Sequence, residues 1–218
     1  MSDSQVKSRK RVVDHGEVFT AKREVDAMLE LVTNEMERID SRVLEPACGN
    51  GNFLTEVLRR KLDVTERRYA KSQFEFERYS IVAISSVYGI DILEDNVNAC
   101  QERLFSIFLE RYDTLYKKKI DQQVLTVAKF ILSKNIIWGD ALSLKTVGAT
   151  PQPIIFSEWS PMNHELMKRR DFTFSELMSE AEIKSLPLFS DVGEEVYIPT
   201  PIKEFSSTKF MKLNEVDE

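Results

Sequence analysis

Leu44-Glu45-Pro46-Ala47-Cys48-Gly49-Asn50-Gly51-Asn52-Phe53-Leu54 decides how the rest of the chain is read. Arg42–Glu45 is a short apolar run that reads as a buried strand. Pro46 and the glycines at 49 and 51 break it, and Phe53, Leu54, Val57 and Leu58 then fall on one helical face to about Leu62. A strand thus enters a glycine turn that opens a helix. Glycines there let backbone approach a ligand closely, and the free N–H groups of a helix start favour polar or anionic groups. The same pattern also describes an ordinary strand-to-helix loop.

Working outward, Thr20 is placed as the cap of a helix carrying Val25, Met28, Leu29, Val32 and Met36. Downstream, 72–87 reads as a helix and Tyr88–Ile92 as a strand. A long helix from Asp95 or Asn96 to about Lys117 follows, then a helix over about 120–132, a strand at Asn135–Trp138 and an apolar run at Pro153–Phe156. Phe172–Ile183 has the composition of one more helix. Strands alternating with helices predict an α/β domain with a mainly parallel sheet and helices on both faces. The expected organisation is a flexible basic arm over 1–16, one domain over 17–186, and a loop-like acidic tail over 187–218, where seven acids meet three lysines.

The second strand ends in Gly89-Ile90-Asp91-Ile92 and the third in Gly139-Asp140-Ala141-Leu142. Open α/β sheets bind ligands beyond the carboxyl ends of their strands, where an acid can grip a ribose diol. One such acid is commonly a helix cap; Glu45, Asp91 and Asp140 in succession point to a ligand. Gly51 and Asp91 lie 40 residues apart, against about 20 in dinucleotide folds, and the extra helix at 72–87 accounts for the difference.

Composition bounds the remainder. The 218 residues are 42% hydrophobic and 30% charged, with net charge −6, enough for a core and opposed to nucleic-acid binding by bulk surface charge. Two cysteines, Cys48 and Cys100, imply no disulfide framework. His15 and His164 form no metal-ligand spacing, so no metal is expected. The N-terminus lacks an apolar signal region and no run approaches the ~18 apolar residues of a membrane span, so a cytoplasmic protein without membrane contact is expected.

These motifs, in this order over about residues 16–145, resemble the adenine-specific DNA methyltransferases of restriction–modification systems. Gly16-Glu17-Val18-Phe19-Thr20-Ala21-Lys22 is similar to their N-terminal segment, with Ala21 in place of its proline. Leu44–Leu54 is similar to their principal S-adenosylmethionine motif, and Tyr88–Ile92 and Asn135–Leu142 to the next two. The resemblance implies a Rossmann-like methyltransferase fold, incomplete on its C-terminal side. It also implies S-adenosylmethionine as cofactor and transfer of its methyl group to the amino nitrogen of a flipped adenine. Phe19, Thr20 and Glu45 would address the methionine end, with Pro46, Ala47, Cys48, Gly49, Gly51, Asn52 and Phe53 lining the cofactor. Asp91 would accept from the ribose hydroxyls, Ile92 would pack on the adenine, and Asp140, Ala141 and Leu142 would surround its amino group.

The catalytic motif departs from the family. Where two successive prolines are followed by an aromatic residue, this chain has Ser157-Glu158-Trp159-Ser160-Pro161. On the resemblance, Glu158 would accept from the target amino group and Trp159 would stack on the flipped base, with Ser160 and Pro161 as the remnant. Lys168, Arg169 and Arg170 form a candidate phosphate-contacting cluster for DNA. Two functions follow as expectations: a complete DNA adenine-N6 methyltransferase, or a catalytically degenerate cofactor-binding subunit. The second would need a partner chain, a further methyltransferase or specificity subunit, for recognition and catalysis.

Overall fold

The computed structural model describes residues 11, 20–178 and 199–216. The expected basic arm other than Arg11, together with Phe19, lies outside the described residues, as do 179–198. Helices α1 (Lys22–Glu30) and α2 (Thr33–Met36) precede strand β1 (Val43–Glu45). The glycine turn leads into α3 (Asn52–Tyr69), then α4 (Gln73–Ser85), β2 (Val87–Asp91), α5 (Glu94–Tyr116), α6 (Gln122–Asn135) and β3 (Ile136–Asp140). Short β4 (Lys145–Thr146) precedes β5 (Ile155–Pro161) and β6 (Leu166–Thr173). The chain turns helical at 174–178. Beyond it lie β7 (Lys203–Glu204), β8 (Thr208–Lys209) and a 3-10 helix at Phe210–Glu215.

The first sheet has the order β1-β2-β3-β4. Strands β1, β2 and β3 are parallel, with Glu45 opposite Gly89 and Asp91 opposite Trp138; β4 runs antiparallel to β3. Alternation divides the sheet into two faces. Val43, Val87, Ile136 and Trp138 join the large core built by α1 and α3–α6, where Leu54, Leu58, Ile81, Cys100, Phe108 and Ile131 are buried. Tyr88, Ile90 and Ile137 face the other way, onto Ile154, Phe156, Phe174 and Leu177. Helices α1 and α3–α6 therefore cover one face, and strand β5 with the helical residues 174–178 covers the other.

The first sheet is mainly parallel, as expected, but the second face is covered chiefly by strand β5 and not by a further crossover helix. The Pro153–Phe156 run does not supply a fourth parallel strand. Parallel neighbours need a crossover, usually a helix, and no helix lies between β3 and β5. Instead a short hairpin pairs β5 antiparallel to β6 in register from Ile155–Thr173 to Pro161–Met167, and β7 and β8 both pair with β6.

Smaller differences have local causes. The cap of α1 is Ala21 rather than Thr20; the Glu24 carboxylate reaches back to accept the Ala21 N–H at 3.2 Å. The single expected helix is broken at Leu31–Val32. Phe172 and Thr173 finish β6 instead of starting a helix. Within the expected loop-like tail, residues 199–216 bury Phe205, Phe210 and Leu213 against the rest of the chain. No helix among the described residues is long and apolar enough to cross a membrane.

Candidate functional site

The carboxyl ends of β1, β2 and β3 converge on the glycine turn. Gly49 (φ 53°) and Gly51 (φ 84°) both occupy the left-handed region. A Cβ at Gly51 would stand 2.6 Å from Cys100 Sγ, so turn and helix α5 approach as closely as glycine permits. Asp91 ties the turn to β2: its Oδ2 accepts the Gly49 N–H at 2.8 Å. Its Oδ1 accepts from the Leu93 N–H (2.9 Å) and Asn96 Nδ2 (3.3 Å). Asp91, expected to grip a ribose, thus also fixes the backbone that would surround it.

Arg103 holds the turn from the other side, donating to the Asn50 carbonyl at 2.7 Å and to Asn52 Oδ1 at 2.8 Å. Asn52 Nδ2 in turn donates to the Thr20 carbonyl at 3.2 Å, which sets Thr20 at the opening of α3. Neither Arg103 nor Asn50 was singled out from sequence. Cys100 and Arg103 are one helical turn apart on α5, a spacing that puts both under whatever turn packs there.

Two buried acceptors in this crevice, Glu45 Oε2 and Asn50 Oδ1, take no hydrogen bond from the described residues. Burial, and secondarily the charge of Asp91, push the Glu45 carboxyl up to about 7. Contact with the Cys100 thiol, together with burial, pushes the Cys48 thiol above the usual range, and Cys48 is buried in the core. Asp140 is held below the ordinary carboxylate range by the Ser143 hydroxyl and by the Leu142 N–H, which it accepts at 3.0 Å. Trp138 Nε1 donates to the Ile92 carbonyl at 3.0 Å and joins the tips of β2 and β3. Ile92 (46% exposed) and Leu142 (96%) present apolar side chains to solvent beside these acids. Phe53 packs against the large core, Ala141 packs on the smaller one, and Pro46 and Ala47 are exposed.

The expected catalytic group divides across β5. Trp159 is 4% exposed; its Nε1 donates to Asn135 Oδ1 at 2.9 Å, and its ring meets Phe130 edge-on at 6.0 Å. Glu158 points to the opposite face, where Arg42 and Arg170 both clasp it, the latter at 2.6 Å. Ser160 and Pro161 continue the strand opposite Lys168 and Met167. The structure does not bring these four residues to one point, nor to the crevice acids.

Lys168, Arg169 and Arg170 lie in β6, so the strand's alternation separates them. Arg169 is buried, paired with Asp171 at 2.8 Å and lying 4.3 Å over the Phe205 ring. Arg170 pairs with Glu158, and Lys168 with Glu204 at 2.7 Å. In place of a phosphate-facing row, the structure shows three cations each set against a carboxylate of the same chain. Arg11 pairs with Asp95 at 2.7 Å.

The chain is 29% identical over 89 residues to a protein of Methanocaldococcus jannaschii named "Putative type II restriction enzyme and methyltransferase". The match covers 39% of this chain and 7% of that relative, so the chain spans a small part of the protein it resembles. No protein-family model and no solved structure matches the chain. Similarity to a restriction–modification methyltransferase joins an α/β fold whose three parallel strands end in acids around a glycine turn.

Proposed function

We propose that this chain binds S-adenosylmethionine in the crevice beyond β1–β3. We read it as the cofactor-binding part, with a Rossmann-like methyltransferase core, of an adenine-N6 DNA methyltransferase of restriction–modification type. The observation that carries this reading is the buried, unpartnered Glu45 Oε2 beside the turn fixed by Asp91. A buried acceptor without a donor is costly, and a cationic ligand amine is the partner that relieves it. When bound, the cofactor supplies a sulfonium methyl group as electrophile.

The chain's own residues have distinct tasks in this reading. Glu45 and Asn50 accept from the amino-acid end of the cofactor, with Thr20 held beside it by Asn52. Asp91 orients the Gly49 amide and retains a free lone pair toward the ribose, and Ile92 and Leu142 shield the adenine ring from water. Asp140 accepts from the exocyclic amine. Catalysis by Glu158 and Trp159 within this chain is disfavoured. A carboxylate clasped by two guanidiniums is a poor acceptor for a target amine, and a ring packed under Phe130 has no face for a base. The groups that hold the base and read the DNA therefore come from polypeptide beyond the described residues, a partner subunit being one source.

Calorimetric titration with S-adenosylmethionine tests the reading. One-to-one binding, lost in Asp91→Ala, is expected; absence of binding heat and of any thermal stabilisation by the cofactor refutes it. Labelled methyl transfer to adenine-containing DNA by this chain alone would restore the autonomous enzyme.

A further inference from the structure

The two sheets enclose a cavity of about 370 Å³ on the side of β1 away from Glu45. Leu44, Tyr88, Phe156 and Phe172 give it apolar walls, with Tyr88 and Phe156 packed edge to face at 5.4 Å. Three charges share its rim: Glu158, and the Arg42 and Arg170 that clasp it. Among the described residues that line it, two cations against one anion leave an excess of one positive charge. Arg170 Nε is buried and donates no hydrogen bond; Glu158 Oε2 beside it is held by the Arg170 ion pair without a hydrogen bond, and Arg42 remains more than half exposed, with 56% of its side chain in solvent. The volume is at the small end of the roughly 300–1,000 Å³ of ligand pockets, which are apolar with a few fixed polar groups.

We propose that this cavity is a binding site for a small planar aromatic monoanion, an arylcarboxylate, separate from the cofactor crevice. The negative group meets the Arg42–Arg170 side of the rim and balances the excess charge. The ring enters between Leu44 and Phe172, where the Arg170 guanidinium already lies 5.8 Å from the Phe172 ring centre. Uncharged aromatics of the same outline fill the walls but leave the excess charge unbalanced and offer Arg170 Nε at most a neutral acceptor.

The test is calorimetric titration of the full chain with 2-naphthoate, and with neutral 2-naphthamide in parallel. Saturable one-to-one binding of the acid is expected, with the amide at least about tenfold weaker, as for loss of a charge-assisted hydrogen bond. Removing Arg170 together with Glu158 leaves Arg42 and the same excess charge, so the triple variant Arg42→Gln/Glu158→Gln/Arg170→Met, whose rim is neutral, is used; it should weaken the acid at least about tenfold and bring acid and amide together. Leu44→Trp fills the cavity from a partly exposed position and should abolish binding with the circular dichroism unchanged. No binding of the acid at millimolar concentration, equal affinity for acid and amide in the parent chain, or undiminished binding in Leu44→Trp would each overturn the assignment.

Discussion

Replacing Glu45 with glutamine should make the cofactor-free protein more stable in mild alkali and no more stable in acid. Glu45 titrates near 7 instead of its ordinary 4.5 because burial disfavours its charged form. Such a displacement costs the ionised native state about 3 kcal/mol once pH exceeds 7. Solvent at the crevice rim screens part of it, so about 2 kcal/mol is the expected gain. The sign follows from proton counts. Between pH 4.5 and 7 the folded chain holds a proton that the unfolded chain has released, so this residue's contribution to stability falls as pH rises through that window. Below it both states are protonated, and glutamine and glutamic acid are equivalent. Urea unfolding of both proteins at pH 4.5 and pH 8 measures the difference directly. At pH 8 the gain corresponds to roughly 4–8 °C in melting temperature for a chain of this size. The same substitution should weaken S-adenosylmethionine binding at least about tenfold. Affinity of the parent protein should rise between pH 6 and 8 as one proton is released. Equal or lower stability of Glu45→Gln at pH 8 refutes the reasoning, because the carboxylate would then already have a partner.

Gly51→Ala combines a left-handed φ with a contact on Cys100 Sγ and should lower unfolding free energy by about 1–3 kcal/mol; Gly51→Ala/Cys100→Ala, compared by urea melts, should recover the contact part alone. Trp159→Ala should cost about 3–5 kcal/mol, the range for a buried aromatic, whereas a ring waiting at the surface for a base would cost little in the same melts. Lys61 is fully buried, donating to the Ile39 carbonyl (3.2 Å) and Ser86 Oγ (2.7 Å), and burial lowers it to about 7. Above that pH the unfolded chain binds the extra proton, so parent stability should gain on Lys61→Met as pH rises from 7 to 10; a constant difference between the two would contradict this.

How much was legible depends on where burial repeats with a single period. Helix α5 shows Val97, Cys100, Leu104 and Phe108 on one face, and the glycine turn shows its breakers, so the crevice and its three acids could be read in order. Strands β5 and β6 bury both faces: Phe156 and Phe172 point one way, Trp159 and Arg169 the other. A two-sided strand loses the alternation that identifies it, and in sequence its partner has the look of a basic cluster followed by the start of a helix. Arg169 looked like a free cation because its partner Asp171 is only two residues away, a pairing that makes sense only once the strand is known. In 199–216, Phe205, Phe210 and Leu213 are too sparse to signal order; they are buried because they close over β6 and α6.

Asp91 spends its carboxylate on the Gly49 amide and the start of α5, both groups of its own chain. The turn is therefore fixed by the chain's own hydrogen bonds, and binding there has little backbone left to order. Association at the crevice should proceed in one kinetic phase, at a rate set by encounter and not by loop closure. Differences in affinity among ligands of this crevice would then reside in their dissociation rates.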